Sequence, residues 1–133
     1  MVNEKIKYMN FKENKGTNFI SRGDLVYVDF GPIKDAIGSE QSGERYAIVL
    51  QNDVGNFYSK TVIVAACTTK NKTKLPTHVN LGRLFKFSEF DTTVLLEQIR
   101  TIDKERIKHN YGKLPLSKMN KIDEALKVSL SLI

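Results

Sequence analysis

The apolar residues of this chain lie in short runs separated by turn-forming residues, a pattern typical of a mainly β protein. Residues 25–30 mix β-branched and aromatic side chains directly after the turn signal Arg22-Gly23-Asp24. Other apolar or alternating runs typical of strands lie at residues 46–50, 61–68, 77–81 and 92–102. The last of these runs supplies one or two strands. About five to seven short strands at regular spacing predict a small β-barrel.

Helical periodicity is confined to the C-terminal part of the chain. Residues 103–109 are compatible with a short helix, and Ser117 is predicted to cap a longer one. Apolar residues of that longer helix recur at helical spacing and predict a core-facing stripe: Met119, Ile122, Leu126, Leu130 and Ile133. Residues 51–56, a cluster of turn formers, predict a turn between two buried strands.

The length of 133 residues fits one domain with its own core. Residues 1–21 are polar and lysine-rich, and we expect an N-terminal extension, flexible or forming a short helix, before a folded domain at residues 22–133. No apolar run approaches the roughly 20 residues of a membrane span, and no signal peptide is visible. We therefore expect a cytoplasmic protein with no membrane partner.

The charge of the chain and its few metal-ligand residues limit the partners and the kinds of catalysis that we expect. Lys and Arg total 21 against 15 Asp and Glu, a net charge of +6 that favours polyanionic partners. A single cysteine, Cys67, excludes an internal disulfide, and His78 and His109 have no acidic residues at metal-ligand spacing. Any catalysis is expected to proceed without a metal or another cofactor.

Residues 38–45 form a polar loop that ends by placing Arg45 at the start of a buried run. The loop combines glycines that permit positive φ with side-chain hydrogen-bonding groups: Gly38, Gly43, Ser39 and Gln41. Because a cation stands beside flexible hydrogen-bonding groups, the loop is a candidate phosphate site. On the loop alone, the alternative of a plain surface connection with a solvated arginine is the favoured interpretation.

Several segments, taken in order and spacing, resemble the MazF/PemK toxins of bacterial toxin–antitoxin pairs. They are Arg22-Gly23-Asp24-Leu25-Val26-Tyr27, Gly38-Ser39-Glu40-Gln41, Gln51-Asn52-Asp53-Val54-Gly55-Asn56, Lys74-Leu75-Pro76-Thr77-His78-Val79 and Leu95-Leu96-Glu97-Gln98-Ile99-Arg100-Thr101-Ile102-Asp103. The similarity covers about residues 22–133. It implies a mainly β fold with a C-terminal helix, an SH3-like β-barrel of the MazF/PemK/CcdB type.

The resemblance also implies a function. It implies a sequence-specific, metal-independent endoribonuclease toxin, an mRNA interferase, which cleaves single-stranded RNA to 2′,3′-cyclic phosphate and 5′-hydroxyl ends. A homodimer and neutralisation by a MazE-type antitoxin are implied as well, and DNA is not an expected partner. A non-catalytic SH3-like barrel that binds nucleic acid or protein stays open as the alternative.

Carried over residue by residue, the family's catalytic arginine falls on Arg45 and its catalytic threonine on Thr68. A guanidinium suits this role because its planar fork of donors grips the phosphoryl oxygens on which negative charge develops. The residues expected to contact RNA are Gly38, Ser39, Glu40, Gln41, Asn56, Lys70 and Gln98. Tyr46 departs from the family, in which a proline usually follows the arginine.

The acceptor of the 2′-hydroxyl proton stays open between two carboxylates, Glu40 and Glu97. For Glu97 the preferred interpretation is structural, as an ion-pair partner of Arg100. His78 lies in a strand motif of the family, and we expect it to be structural as well.

Overall fold

The computed structural model describes residues 19–38, 40–70 and 74–133. Six strands form one antiparallel sheet: β1 Asp24–Asp29, β2 Glu44–Val49, β3 Thr61–Thr68, β4 His78–Asn80, β5 Thr93–Asp103 and β6 Ile107–Lys113. Their order in the sheet is β4-β5-β3-β2-β1-β6. The helices are α1 Asp53–Tyr58 and α2 Leu116–Ser129, with 3-10 turns at Ile33–Asp35 and Lys104–Arg106. The predicted mainly β, SH3-like fold with a C-terminal helix is confirmed, but among the described residues the strands form an open sheet with β4 and β6 at its edges and not a closed barrel.

Apolar side chains cover both faces of the sheet. Within β1, Leu25 joins one core cluster while Val26 and Val28 join the other, because successive strand residues point to opposite faces. Helix α2 covers the first cluster with its buried residues Met119, Ile122 and Ala125. The second cluster is made by the sheet's own side chains together with Ile20 and Phe30, as in an SH3-like fold.

Strand β5 bends sharply, and the bend positions side chains of the site described below. Ala65 of β3 pairs with Ile99, but Cys67, two residues on, pairs with Val94. The intervening residues of β5 therefore have no one-to-one partners on β3, and Leu95 pairs instead with His78 of β4. Of the one or two strands predicted for residues 92–102, the structure has one, β5.

The turn predicted at residues 51–56 is wrong, since most of this segment belongs to helix α1. The Asn52 side chain caps the helix by accepting a hydrogen bond from the Gly55 amide at 2.8 Å. Asn and Asp are preferred both in turns and at helix N-caps, so the same residues satisfy either interpretation.

The helix predicted at residues 103–109 is also wrong. The Asp103 side chain accepts from the Glu105 amide and limits the helical geometry to the turn Lys104–Arg106. The following residues form β6, where His109 pairs with Tyr27 of β1. Pairing with an edge of the sheet supplies hydrogen bonds that a short isolated helix lacks, so tertiary context overrides local pattern.

Helix α2 begins at Leu116 after Pro115 rather than at a cap on Ser117. Its predicted core stripe is confirmed for Met119 and Ile122, which are buried, whereas Leu130 and Ile133 are exposed beyond the end of the helix. No helix among the described residues is both long and apolar enough to cross a membrane.

Most of the predicted N-terminal extension, residues 1–18, lies outside the described residues. Its last part packs onto the domain. Ile20 belongs to the second core cluster, and the Asn110 side chain donates to the Phe19 carbonyl at 3.2 Å. Packing therefore begins before the predicted boundary at Arg22.

Candidate active site

Arg45 and Thr68 meet in one cavity at the end of strands β2 and β3. The β2–β3 register pairs Ala47 with Ala66, so Arg45 and Thr68, each two residues farther toward the same end of the sheet, lie across from each other. The cavity has a volume of about 210 Å³ and is lined by Tyr27, Glu44, Arg45, Tyr46, Cys67, Thr68, Thr69 and Thr92. The two residues separated by 23 positions in sequence therefore share one site.

The Arg45 side chain is half-buried and held at one point. Its Nε donates to the Ser42 carbonyl at 2.7 Å, which anchors the guanidinium to the loop before β2. Within the described part of the chain, the other guanidinium nitrogens have no protein acceptor. They remain available for a bidentate contact with two phosphoryl oxygens.

Thr68 is 4% exposed, and its hydroxyl accepts from the Lys70 amide at 3.2 Å. A threonine hydroxyl has one proton to donate and two lone pairs, so this contact leaves the proton for a ligand. Cys67 also lines the cavity, but burial raises the pKa of its thiol well above the ordinary value. A thiolate nucleophile is therefore disfavoured here.

A larger basic groove adjoins this cavity. It has a volume of about 600 Å³ and shares Thr69 with the smaller cavity. Its lining includes two exposed lysines, Lys70 and Lys74, together with the aromatic side chain of Phe90. The predicted RNA contact Lys70 thus lies beside Arg45 and Thr68, on a surface that suits a polyanion.

The predicted substrate-contacting loop lies apart from that groove. Glu40 and Gln41 line a separate cavity of about 150 Å³. The Glu40 carboxylate accepts from the Ile37 amide at 2.9 Å, and the buried Gln41 side-chain oxygen has no hydrogen-bond partner among the described residues. Gly38 is exposed with φ of +58°, a conformation that favours glycine, and Ser39 lies outside the described residues.

Asn56 is not placed to contact RNA. It lies in helix α1, is 1% exposed, and its amide donates to the Gln51 carbonyl at 2.9 Å while its oxygen accepts from the Gln51 side chain. A buried amide occupied in this way cannot reach a base edge, so that prediction is corrected to a structural role. Gln98 is half-buried on the β5 bend and lines neither the cavity of Arg45 nor the basic groove.

Glu97 does not pair with Arg100 as predicted. Its carboxylate accepts from the Thr77 hydroxyl at 2.8 Å and lies 2.9 Å from the His78 Nε2, because the β5 bend turns it toward β4. The Arg100 side chain instead donates to the Phe30 and Gln41 carbonyls. Among the described residues, no three His, Cys, Asp or Glu side chains gather as a metal site requires.

We expect Glu97→Gln to change the pH dependence of stability. Partial burial raises the pKa of Glu97, but hydrogen bonds from His78 and Thr77 outweigh it and hold the pKa below the ordinary 4.5. A carboxylate with a lowered folded-state pKa stabilises the fold above the ordinary pKa and loses that contribution as pH falls through the lowered one. The variant should lose less than about 1 kcal/mol at neutral pH, since the Glu97 side chain, although bonded to the buried side of the pair, is itself 34% exposed and screened by solvent.

Urea unfolding of wild type and Glu97→Gln between neutral and acidic pH measures this effect. The difference between the two proteins should shrink as pH falls below about 4.5. A difference that stays constant across that range would contradict the assignment of Glu97 as an ionised partner of His78.

Tyr46 is a site residue that sequence reasoning treated only as a departure from the family. It lines the cavity of Arg45 and Thr68, and its ring lies 5.0 Å from the ring of Tyr27, its partner in the β1–β2 register. Burial, with smaller contributions from Tyr111 and Tyr27, raises the pKa of Tyr46 to about 12. Its phenol therefore stays neutral and acts as a hydrogen-bonding and packing group.

Thr69 and Thr92, which also line the cavity, were missed by sequence reasoning. The signal that points to them is the pair of consecutive threonines, Thr68-Thr69 and Thr92-Thr93, at the ends of two strands that pair in the sheet. Reading that signal requires the register, in which Thr68 lies opposite Thr93.

Comparison with known proteins shows the family of this chain. The family model for the PemK-like, MazF-like toxin of type II toxin-antitoxin systems matches residues 21–130. Endoribonuclease EndoA of Bacillus subtilis (strain 168) is 48% identical over 115 residues, which cover 86% of this chain and 97% of that protein.

Two solved structures share the fold. The first is an endoribonuclease in complex with its cognate antitoxin from a Mycobacterial species, with a TM-score of 0.68, 24% identity and coverage of 86% of this chain and 97% of that one. The second is MazF (Form-I) from Deinococcus radiodurans, with a TM-score of 0.68, 23% identity and coverage of 85% and 97%. Since the family model spans most of the chain, the protein belongs to the PemK-like, MazF-like toxin family of type II toxin–antitoxin systems.

Proposed function

We propose that this chain is an endoribonuclease toxin that cleaves single-stranded RNA, including mRNA, at a short sequence. One observation carries the proposal: Arg45 and Thr68 converge in a cavity that continues, through Thr69, into a groove with two lysines. The relative from B. subtilis, named an endoribonuclease, supports the same activity. Single-strand preference fits an open groove, since A-form helices hide their base edges.

In the proposed reaction, the ribose 2′-oxygen forms a bond to the adjacent phosphorus while the bond from phosphorus to the 5′-oxygen breaks. Arg45 holds the phosphoryl oxygens, on which charge grows in the transition state, and Thr68 donates its hydroxyl proton to one of them. The products are a 2′,3′-cyclic phosphate and a 5′-hydroxyl. No bound metal or cofactor takes part in this scheme.

The 2′-hydroxyl proton needs an acceptor, and the cavity lining favours Glu44. Glu44, an exposed residue, lines the same cavity as Arg45 and Thr68, whereas Glu40 lines another cavity and Glu97 is engaged by Thr77 and His78. We therefore assign proton acceptance to Glu44, and the departing 5′-oxygen takes its proton from solvent.

Partners follow from charge and from the relatives. The net charge of +6 and the lysine-lined groove suit an acidic segment of an antitoxin as well as RNA. The mycobacterial endoribonuclease was solved with its cognate antitoxin, and we propose a MazE-type antitoxin and a homodimeric, cytoplasmic state here. Residues 22–133 form the proposed catalytic domain, preceded by the extension at residues 1–21.

Mapping of RNA 5′ ends tests the proposed activity. Wild-type protein incubated with a long RNA in excess EDTA should produce cuts at one recurring short sequence, with 5′-hydroxyl and 2′,3′-cyclic phosphate ends. Absence of cuts under all conditions would favour a non-catalytic RNA- or protein-binding barrel. Cutting that stops in EDTA and returns with added metal would contradict the metal-free chemistry.

A further inference from the structure

Three aromatic rings lead from the candidate active site to the surface. Tyr46 lines the cavity of Arg45 and Thr68, and its ring centroid lies 5.7 Å from that of Phe85. Phe85 in turn stacks on Phe87 at 5.2 Å with the two ring planes only 3° apart. We call Tyr46, Phe85 and Phe87 the aromatic ridge.

The outer ring of this ridge is open to solvent. Phe85 is 9% exposed, whereas Phe87 is 78% exposed although one of its faces lies against Phe85. A single exposed apolar residue is ordinary. Phe87 differs because it extends a stack of rings that begins in the proposed catalytic cavity.

Exposed charged residues stand on both sides of Phe87 in the sequence. Arg83 and Lys86 precede it and the acidic Glu89 and Asp91 follow it, all within four residues in the same loop. Exposed aromatic rings interleaved with basic side chains are the features with which proteins bind single-stranded nucleic acid, the rings stacking on bases and the cations following phosphates. A second copy of this chain, which carries the same positive charge of +6, is a poorer match for such a surface.

We propose that Phe87 is a stacking site for one nucleobase of a single-stranded RNA whose scissile phosphate lies between Arg45 and Thr68. The proposal rests on the proposed function and adds a subsite to it. Two ring-to-ring steps separate Tyr46 from Phe87, so the stacked base belongs to a nucleotide near the cut rather than at it. Arg83 and Lys86 contact the phosphates beside that base.

Stacking on Phe87 contributes more to the affinity for RNA than to the sequence specificity, because every base has a π-face.

Binding to an uncleavable RNA tests the subsite separately from catalysis. The probe is a fluorescently labelled, mixed-sequence 2′-O-methyl oligonucleotide, which has no free 2′-hydroxyl to attack the phosphate. Phe87→Ala should raise the Kd by about tenfold, within the range expected for losing one base–aromatic stack, while Phe87→Trp should restore binding. The matched control is Phe57→Ala, since Phe57 is equally exposed at 78% but lies on helix α1.

Tryptophan fluorescence supplies a second measurement. The chain contains no tryptophan, so Phe87→Trp introduces a single reporter. Its emission should be quenched when the oligonucleotide binds, and the emission of Phe57→Trp should not be. Quenching of both reporters, or of neither, would contradict stacking at position 87.

Three outcomes overturn the proposal. If Phe87→Ala binds the oligonucleotide with the affinity of the wild type, no base stacks on the Phe87 ring, whether or not the wild type cleaves RNA. Dissociation of a dimer by Phe87→Ala, measured by sedimentation, would show that a second copy covers the ring. Failure of the wild type to bind the oligonucleotide would exclude the subsite. Binding without cleavage by the wild type would instead remove only the proposed endoribonuclease activity.

Discussion

Replacing Arg45 by alanine is expected to lower the rate constant of RNA cleavage about 100- to 1,000-fold, the usual cost of removing one preorganised donor to a developing oxyanion. Arg45 lines the same cavity as Thr68, and only its Nε bonds to a protein acceptor among the described residues. Its other guanidinium nitrogens can therefore bind the phosphoryl oxygens. Single-turnover cleavage of an RNA that contains the mapped site measures the effect.

The fold should survive this substitution. The Arg45 side chain is half-buried and makes one hydrogen bond, to the Ser42 carbonyl, so thermal unfolding should change little. Lys108→Ala is the charge-matched control, since Lys108 is exposed on β6 away from the cavity, and it should cleave at the wild-type rate. Cleavage by a folded Arg45→Ala protein at the wild-type rate would refute the proposed mechanism.

Replacing Ile122 by alanine is expected to lower the free energy of unfolding by about 2–5 kcal/mol. Ile122 is completely buried on the face of α2 that packs against the first core cluster. Truncation removes buried apolar surface and leaves a cavity, because the rigid sheet beneath the helix cannot close it. Urea unfolding at one fixed protein concentration measures the loss.

A control on the same helix separates packing from helix propensity. Val128 is 42% exposed, so Val128→Ala should change the free energy of unfolding by less than about 0.5 kcal/mol. Alanine forms helix better than valine or isoleucine, so a loss of stability in either variant reports lost packing. Similar losses in both variants would contradict the assignment of the stabilisation to the buried face of α2.

Prediction from sequence succeeded where a single local rule decides the structure. The apolar runs that became β1, β2 and β3 were recognised because buried strands need continuous or alternating apolar residues. Arg45 and Thr68 were selected by their match to a family pattern, and their shared cavity is consistent with that selection.

Prediction failed where two structures satisfy the same local pattern. Asn52 serves a turn or a helix cap equally well, and only the surroundings choose the cap. The local pattern permits a helix that extends through residues 107–109, but these residues pair with the edge of β1 and form a strand. Glu97 was expected to pair with Arg100, three positions away, but the bend in β5 turns it toward Thr77 and His78.

The sequence by itself determined the mainly β fold class and the positive charge, because apolar patterning and charge are properties of the chain alone, and its resemblance to a known family selected Arg45 and Thr68 as the candidate site. Tertiary structure decided which groups surround them. Strand register brings Thr69 and Tyr46 into the cavity, and the packing of a distant loop places Phe85 beside Tyr46 and Phe87 against Phe85. These contacts join residues far apart in sequence, and their geometry depends on bends and register shifts that no local pattern encodes.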